Sequence, residues 1–265
     1  MFTADLLAGQ TAIITGGGTG LGLAMAQRFA SLGANVVLAS RDQAHLDAGA
    51  AAIAAAVPGA GVLTVSMDVR KPEDVDRMVN EAVTRFERVD ILINNAAGNF
   101  VCKAEDLSPN GWNSVINIVL NGSFYCSRAV GRHMIANGHG GSIVSILANY
   151  AWTGSAGTIH SAAAKAGVMA MTQTLAVEWA RHKIRVNAVA PGPIESPGAA
   201  KQLWASDEDV ARITDMVPLK RWGHPREVAD AVTFLVSPQS GYITGDVLTI
   251  DGGAWLGRGT FGFMS

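Results

Sequence analysis

The chain has 265 residues, of which 49% are hydrophobic and 16% are charged, so it is long enough for one large domain and too apolar to be disordered. Its 20 Lys and Arg against 22 Asp and Glu leave a net charge of −2. This balance excludes an extended basic surface of the kind that binds nucleic acid or anionic lipid.

Short β-branched runs alternate with longer segments whose apolar residues recur with a period near 3.6. The predicted strands are residues 12–15, 35–39, 62–66, 90–93, 142–146, 185–190 and 246–250, and the clearest helical segments are residues 21–32, 72–86 and 162–180. Because each parallel crossover needs a covering helix, the alternation predicts an α/β fold with a doubly wound parallel sheet of the Rossmann type. No linker divides the chain, which indicates a single domain over residues 1–265.

A glycine-rich stretch follows the first predicted strand and opens the first helix. Glycines there permit a tight turn and let the backbone approach a pyrophosphate at a helix N-terminus. The predicted cofactor contacts in this stretch are Gly16, Gly18, Thr19, Gly20, Leu21 and Gly22. The alternative is a simple turn.

The second predicted strand ends in Ser40, Arg41 and Asp42, about twenty residues further on, where a dinucleotide ribose is read. An arginine there pairs with a 2′-phosphate, whereas an acid accepts from a 2′-hydroxyl. Arg41 comes first, so we predict NADP(H), with Ser40 and Arg41 as contacts. Arg41 as a solvated loop charge and Asp42 as a helix cap are the alternatives.

Residues 191–222 interrupt the alternation with four prolines and an amphipathic piece, residues 199–216. A long insertion at the carboxyl end of a sheet is where an open α/β fold holds its ligand. We therefore predict a substrate loop, against the alternative of an ordinary surface insertion.

Three features predict a cytoplasmic protein. The two cysteines, Cys102 and Cys126, cannot form a disulfide framework. Residues 1–10 lack a signal-peptide pattern, and the final residues are not a peroxisomal tripeptide. The longest stretch without Lys, Arg, Asp or Glu, residues 133–164, is interrupted by polar residues and glycines, so we expect no membrane span.

Together with Asn94-Asn95-Ala96-Ala97-Gly98, Pro191-Gly192-Pro193-Ile194 and Asp251-Gly252-Gly253, these motifs resemble the short-chain dehydrogenase/reductase family over nearly the whole chain. The resemblance implies cofactor contacts from Asn95, Ala96, Ala97 and Gly98, and it sets Asp68 and Val69 beside the adenine. It also implies that Pro191, Gly192, Pro193 and Ile194 border the nicotinamide. A homotetramer is implied as well, joined through the helices of residues 112–135 and 162–180.

The family's usual Tyr-x-x-x-Lys reads Ser161-Ala162-Ala163-Ala164-Lys165 here, and a serine is a far weaker acid than a phenol. The family's structural asparagine falls on Val119, and its usual serine falls on Ala148. Of the three tyrosines, Tyr125 lies in a helical pattern and Tyr242 near the last turn before the seventh strand. Tyr150 alone follows the fifth strand at the ligand-binding edge.

A tyrosine after the fifth strand, followed by Ser-x-x-x-Lys, is similar to the 2,4-dienoyl-CoA reductase branch, and so is Asn99-Phe100. The resemblance implies NADPH-dependent reduction of a dienoyl-CoA. Tyr150 and Asn99 would stabilise the thioester oxygen or deliver a proton. Lys165 would bind the nicotinamide ribose and, if close, lower the pKa of Tyr150, with Ser161 as a hydrogen-bonding partner.

By the same resemblance, Arg70, Phe100 and Ser108 would contact an acyl-CoA, while a further expected arginine reads Gln202, beside Lys201. Packing or turn roles are open for Tyr150, Asn99 and the tryptophans at 152, 204 and 222, and His160 is expected to be structural. We expect no metal site. Two other functions stay open: a ketone or alcohol oxidoreductase, and a catalytically silent NADP-binding module.

Overall fold

Parallel strands form a sheet in the order β3-β2-β1-β4-β5-β6-β7 in the computed structural model, which describes residues 2–195 and 206–256. The strands are β1 Thr11–Thr15, β2 Asn35–Ser40, β3 Val62–Ser66, β4 Ile91–Asn94, β5 Gly141–Ile146, β6 Ile184–Pro191 and β7 Val247–Ile250. The helices are α1 Gly20–Ala30, α2 Gln43–Ala56, α3 Pro72–Phe86, α4 Pro109–Ile116, α5 Gly122–Asn137, α6 Tyr150–Thr153, α7 Ile159–Trp179, α8 Asp207–Met216 and α9 Pro225–Val236. The predicted doubly wound sheet is confirmed.

Both faces of the sheet are covered, as neighbouring residues of β1 illustrate. Ile14 packs with Phe29 of α1 and Val232 of α9 on one face. Ile13 packs with Met78 of α3 and Val130 of α5 on the other face. This double burial explains why the strands appear in the sequence as continuous apolar runs.

The ends of several elements differ from the sequence prediction. Strand β4 begins at Ile91, one residue later than predicted, and the Asp90 carboxylate accepts the N–H of Thr11 at 3.0 Å. The long helix after β5 begins at Ile159, where its backbone hydrogen bonds start, and not at Ala162. The strand order reverses between β1 and β4, so their following loops diverge and open a crevice at the carboxyl edge.

No helix among the described residues has the length and apolar character needed to cross a bilayer.

Candidate active site

A cavity of about 1430 Å³ opens at the carboxyl edge of the sheet, which exceeds the roughly 300–1,000 Å³ of common ligand pockets. The predicted cofactor contacts that line it are Gly16, Gly18, Thr19, Gly20, Leu21, Ser40, Arg41, Asp68, Val69, Asn95, Ala96, Ala97, Pro191, Gly192, Pro193 and Ile194. We call the part lined by residues 18–21 and 40–45 the cofactor half. The part lined by Tyr150, Ile213 and Trp222 is the substrate half.

The glycine turn is shaped by close backbone approaches. Gly16 has a φ of +65°, and a Cβ added at Gly22 would lie 2.2 Å from the carbonyl oxygen of Gly16. The side chain of Thr19, which precedes α1, does not cap that helix. The first backbone N–H groups of α1 are therefore free of a side-chain partner, and the turn fits the diphosphate of a dinucleotide.

Asn95 lines the cavity, but its side chain is hydrogen-bonded to the glycine turn. Its Nδ2 donates to the carbonyl oxygens of Thr15 at 2.9 Å and Gly16 at 3.2 Å. The Thr15 hydroxyl in turn accepts the N–H groups of Asn95 and Ala96, each at 3.0 Å. Asn95 thus fastens the loop after β4 to the turn after β1. Gly98 lies outside the cavity lining, against Ile118.

The two charged residues after β2 have different environments. Asp42 caps α2, since its Oδ1 accepts the N–H of His45 at 3.1 Å, and the helix-cap alternative is confirmed. Arg41 is exposed on the cavity wall. The hydrogen bonds from Arg70, and to a smaller extent the charge of Arg41, hold the pKa of Asp68 below its ordinary value.

The predicted substrate contacts Arg70 and Ser108 have structural partners. The Arg70 Nε lies 2.9 Å from both carboxylate oxygens of Asp68. The Ser108 hydroxyl caps α4 by accepting the N–H of Gly111 at 3.1 Å. Neither residue lines the cavity, and their contact with a substrate stays a prediction.

Tyr150 lines the cavity and begins the one-turn helix α6, which the sequence did not predict. Its hydroxyl lies 3.0 Å from the Ser161 hydroxyl on the first turn of α7. Burial raises the pKa of Tyr150, and the hydrogen bond from Ser161 opposes that rise only in part. Tyr125 packs within α5 and Tyr242 is fully exposed, so neither lines the cavity.

Lys165 lies one helical turn after Ser161 and is buried. Its Nζ donates to the carbonyl oxygen of Ile146 at the end of β5. Burial lowers the pKa of Lys165 to about 8. The expected lowering of the Tyr150 pKa by Lys165 is not seen, because Lys165 is not among the groups that shift the pKa of the phenol.

Asn99 is half-buried and lies outside the cavity lining. Its Oδ1 accepts the N–H of Phe100 at 3.0 Å, which leaves the amide NH₂ available as a donor. The Phe100 ring lies 4.4 Å from the ring of His160, the neighbour of Ser161 in α7. His160 is fully buried, and burial lowers its pKa, so it is neutral and packs as a structural residue.

The predicted substrate loop contains α8, whose Ile213 and Met216 line the cavity. Trp222, after the helix, lines the cavity and donates from Nε1 to the Thr214 hydroxyl at 2.8 Å. Trp152 is instead exposed at the rim and stacks on Trp255, with ring centroids 5.8 Å apart. Three residues considered in the sequence, Lys201, Gln202 and Trp204, lie outside the described residues.

One residue of this site has a role that the sequence did not indicate. Asp251 is buried, and its carboxylate accepts hydrogen bonds from Asn149, Gly253 and Trp255. The motif Asp251-Gly252-Gly253 can be recognised in the sequence. The hydrogen bond between Asp251 and Asn149, the residue before Tyr150, forms only because the fold brings them together. Asn149 and Asp251 are 102 residues apart in the sequence, so no local signal connects them.

A family model described as enoyl-(acyl carrier protein) reductase matches residues 16–254. The chain is 49% identical over 245 residues to a Bacillus subtilis protein named probable 2,4-dienoyl-CoA reductase, (2E)-enoyl-CoA-producing, with 92% of this chain and 96% of that one covered. It is 43% identical to a Danio rerio protein named peroxisomal 2,4-dienoyl-CoA reductase, (3E)-enoyl-CoA-producing, covering 97% and 85% of the two chains.

Solved structures are similar in fold as well. A short chain dehydrogenase from Bacillus anthracis is 49% identical, with a TM-score of 0.85 and coverage of 95% of this chain and 98% of that one. Levodione reductase is 34% identical, with a TM-score of 0.91 and coverage of 94% and 99%.

Proposed function

The chain belongs to the short-chain dehydrogenase/reductase family, in its 2,4-dienoyl-CoA reductase-like branch, and we propose that it reduces a 2,4-dienoyl-CoA to an enoyl-CoA with NADPH in fatty-acid degradation. The observation that carries this proposal is the 3.0 Å hydrogen bond between Tyr150, which lines the cavity, and the buried Ser161. It joins a phenol from outside α7 to the serine that stands four residues before Lys165.

We propose NADPH as the reductant because of the charges after β2. Asp42 caps the start of α2, so one oxygen of its carboxylate already accepts a hydrogen bond from the backbone. Arg41 is exposed on the cavity wall, where a guanidinium can pair with a 2′-phosphate. The glycine turn and the start of α1 would hold the diphosphate.

The proposed chemistry uses two side chains, Asn99 and Tyr150. A bound dihydronicotinamide supplies a hydride to the far end of the diene, which develops negative charge on the thioester oxygen. Asn99 donates from its free amide NH₂ to that oxygen. Tyr150 keeps its proton at neutral pH because burial raises its pKa, and it delivers that proton to Cα.

Lys165 and Ser161 act as orienting groups in this scheme. Ser161 fixes the Tyr150 hydroxyl through their hydrogen bond. Lys165, buried and held by the Ile146 carbonyl, would bind the nicotinamide ribose. Arg70, Phe100 and Ser108 would contact the acyl-CoA.

We propose that the double bond of the product lies between Cβ and Cγ. A donor close to the thioester oxygen reaches Cα, whereas Cγ is two bonds further away. Protonation at Cα gives a 3-enoyl thioester, and protonation at Cγ gives a 2-enoyl thioester. Proton NMR of the product distinguishes the two.

The test is NADPH oxidation with a short trans-2,trans-4-dienoyl-CoA, comparing the wild type with Tyr150→Phe. We expect kcat to fall by about 10²–10⁴, as for the loss of a general acid, with NADPH binding retained. Tyr242→Phe, at a fully exposed tyrosine, is the matched control and should turn over normally.

Two outcomes would contradict the proposal. A wild type that turns over a ketone panel but no dienoyl-CoA is an ordinary ketone or alcohol oxidoreductase. A wild type that binds NADPH and reduces neither substrate class is a silent binding module. Full turnover by Tyr150→Phe would instead show that another group donates the proton.

We also propose a cytoplasmic homotetramer. Phe124 of α5 and Val177 of α7 are exposed, as expected for helices that face other subunits. The cysteines Cys102 and Cys126 are both free. A monomer by light scattering at micromolar concentration would contradict the tetramer.

A further inference from the structure

Tyr150 has little support from its own helix. The helix α6 has four residues and ends at Gly154, which has a φ of +68°. So short a helix has almost no stability of its own. Lys165, in contrast, lies on the 21-residue helix α7. Contacts from outside α6 must therefore hold the phenol in a fixed position relative to the lysine.

The turn after β7 supplies one such contact through a buried carboxylate. Asp251 Oδ2 accepts from the side-chain amide of Asn149 at 3.3 Å and from the N–H of Trp255 at 2.9 Å. Its Oδ1 accepts the N–H of Gly253 at 2.9 Å. One carboxylate thus shapes its own turn and holds the residue that precedes Tyr150.

A second contact joins the same turn to the far side of the tyrosine. The indole of Trp255 stacks on that of Trp152, with ring centroids 5.8 Å apart and planes 24° apart. Asn149 and Trp152 therefore flank Tyr150 in sequence, and both contact the turn that Asp251 organises.

The turn also touches two other walls of the cavity. A Cβ added at Gly192, beside the predicted nicotinamide position, would lie 2.6 Å from the Cβ of Asp251. The carbonyl oxygen of Gly252 accepts the N–H of Leu219, which follows α8, at 3.2 Å. A movement of this turn would therefore displace α6, the segment around Gly192 and the segment that follows α8.

We propose that Asp251 is a positioning residue for Tyr150: it braces α6 from both ends through Asn149 and through the Trp152–Trp255 stack. This inference rests on the proposed role of Tyr150 as the proton donor. Asp251 touches neither substrate nor cofactor in this scheme.

The primary test is Asp251→Asn, which keeps the size of the side chain but replaces one acceptor oxygen with a donor. The amide cannot accept all three N–H groups, so α6 loses a brace. We expect kcat to fall by roughly tenfold to a hundredfold, as for a small misplacement of a reacting group. The KM for the dienoyl-CoA and the affinity for NADPH should change by less than about threefold. The reason is that Asp251 contacts neither ligand in this scheme, so the variant keeps the interactions that bind them before the reaction.

A second readout is independent of turnover. The ultraviolet absorbance of tyrosinate is titrated in each protein, and the difference from Tyr150→Phe isolates the ionisation of Tyr150. In the wild type, burial raises the pKa of Tyr150 above its ordinary value. A loosened α6 admits water, so Asp251→Asn should lower that pKa toward the value of a free phenol.

Three further variants keep the test decisive. Asp246→Asn changes an exposed acid at the opposite end of β7 and should leave kcat and the Tyr150 titration unchanged. If Asp251→Asn does not fold, Trp255→Ala against Trp255→Phe removes or keeps the aromatic stack, and only the alanine variant should lose turnover and shift the titration.

The inference is overturned if Asp251→Asn folds and shows a wild-type kcat, or if the Tyr150 titration is unchanged in it. A wild type without dienoyl-CoA activity would remove the proposed function. The absorbance titration would still report whether Asp251 controls the environment of Tyr150.

Discussion

The two halves of the cavity are built in different ways. The cofactor half is formed by consecutive residues of two turns, and its shape depends on backbone: glycines, a helix start and the cap at Asp42. The substrate half is assembled from side chains far apart in the chain, among them Tyr150, Ile213 and Trp222. A local motif therefore specifies the first half, whereas only the fold brings together the second.

Among the variants that test this difference between the two halves, the largest effect is expected at Gly22, on the affinity for NADPH. A side chain there meets the carbonyl oxygen of Gly16 at 2.2 Å, so Gly22→Val must open the glycine turn. We expect the affinity for NADPH, measured by fluorescence titration, to fall by more than about 100-fold. Ala24→Val, on the same helix but half-exposed, should bind normally. Normal NADPH binding by Gly22→Val would show that the turn does not shape the cofactor half.

A variant at Arg41 tests whether a single side chain sets the preference for NADPH over NADH in the cofactor half, whose shape depends on backbone. Arg41→Ser should lower the ratio of kcat/KM for NADPH to that for NADH by about 10- to 100-fold, because one charge-assisted pair is lost. The kcat/KM for NADH should be the same in Arg41→Ser as in the wild type. An unchanged ratio would mean that another group reads the 2′-phosphate.

Behind the substrate half, a buried lysine that is hydrogen-bonded to the Ile146 carbonyl has a protonation state that is linked to stability. The pKa of Lys165 is about 8 in the folded chain, below the 10.5 of a free lysine. Between these values the unfolded chain binds the proton and the folded chain does not, so stability rises with pH in this window. This single group should add about 2 kcal/mol between pH 7.5 and pH 9.5 in the cofactor-free protein.

Urea unfolding of the wild type and Lys165→Met at both pH values isolates that contribution. The two proteins share every other titrating group, so the difference between them should grow in favour of the wild type as the pH rises. Parallel pH profiles would show that Lys165 keeps an ordinary pKa when folded.

The smallest effect is expected at Ser108, which caps α4 at the edge of the substrate half. Ser108→Ala should cost about 1 kcal/mol of unfolding free energy, and Ser108→Asp should restore it, because aspartate also caps helices. If Ser108 contacts the acyl-CoA as well, both variants raise the KM. A raised KM without loss of stability would place its role in binding alone.

The sequence predicted the sheet, because strands buried on both faces appear as apolar runs between helical periods, as Ile13 and Ile14 illustrate. It also pointed to Tyr150, since that tyrosine follows β5 closely. It did not predict that α6 is helical, that Asn95 fastens the glycine turn, or that Asp251 contacts Asn149. Each of these depends on partners distant in sequence, which local patterns do not encode.

The chain leaves the body of the protein for the substrate loop and returns to it at nearly the same point. Glu195 donates its N–H to the carbonyl oxygen of Gly223, and Gly223 donates to that of Pro193, each at 2.9 Å. The Arg221 guanidinium donates to the Glu227 carboxylate, which holds the end of the loop against the start of α9. Closing a loop of twice the length costs only about 0.6 kcal/mol more. Changes in the length of this loop should therefore cost little free energy, and they can reshape the substrate half while the two backbone hydrogen bonds keep the ends of the loop in place.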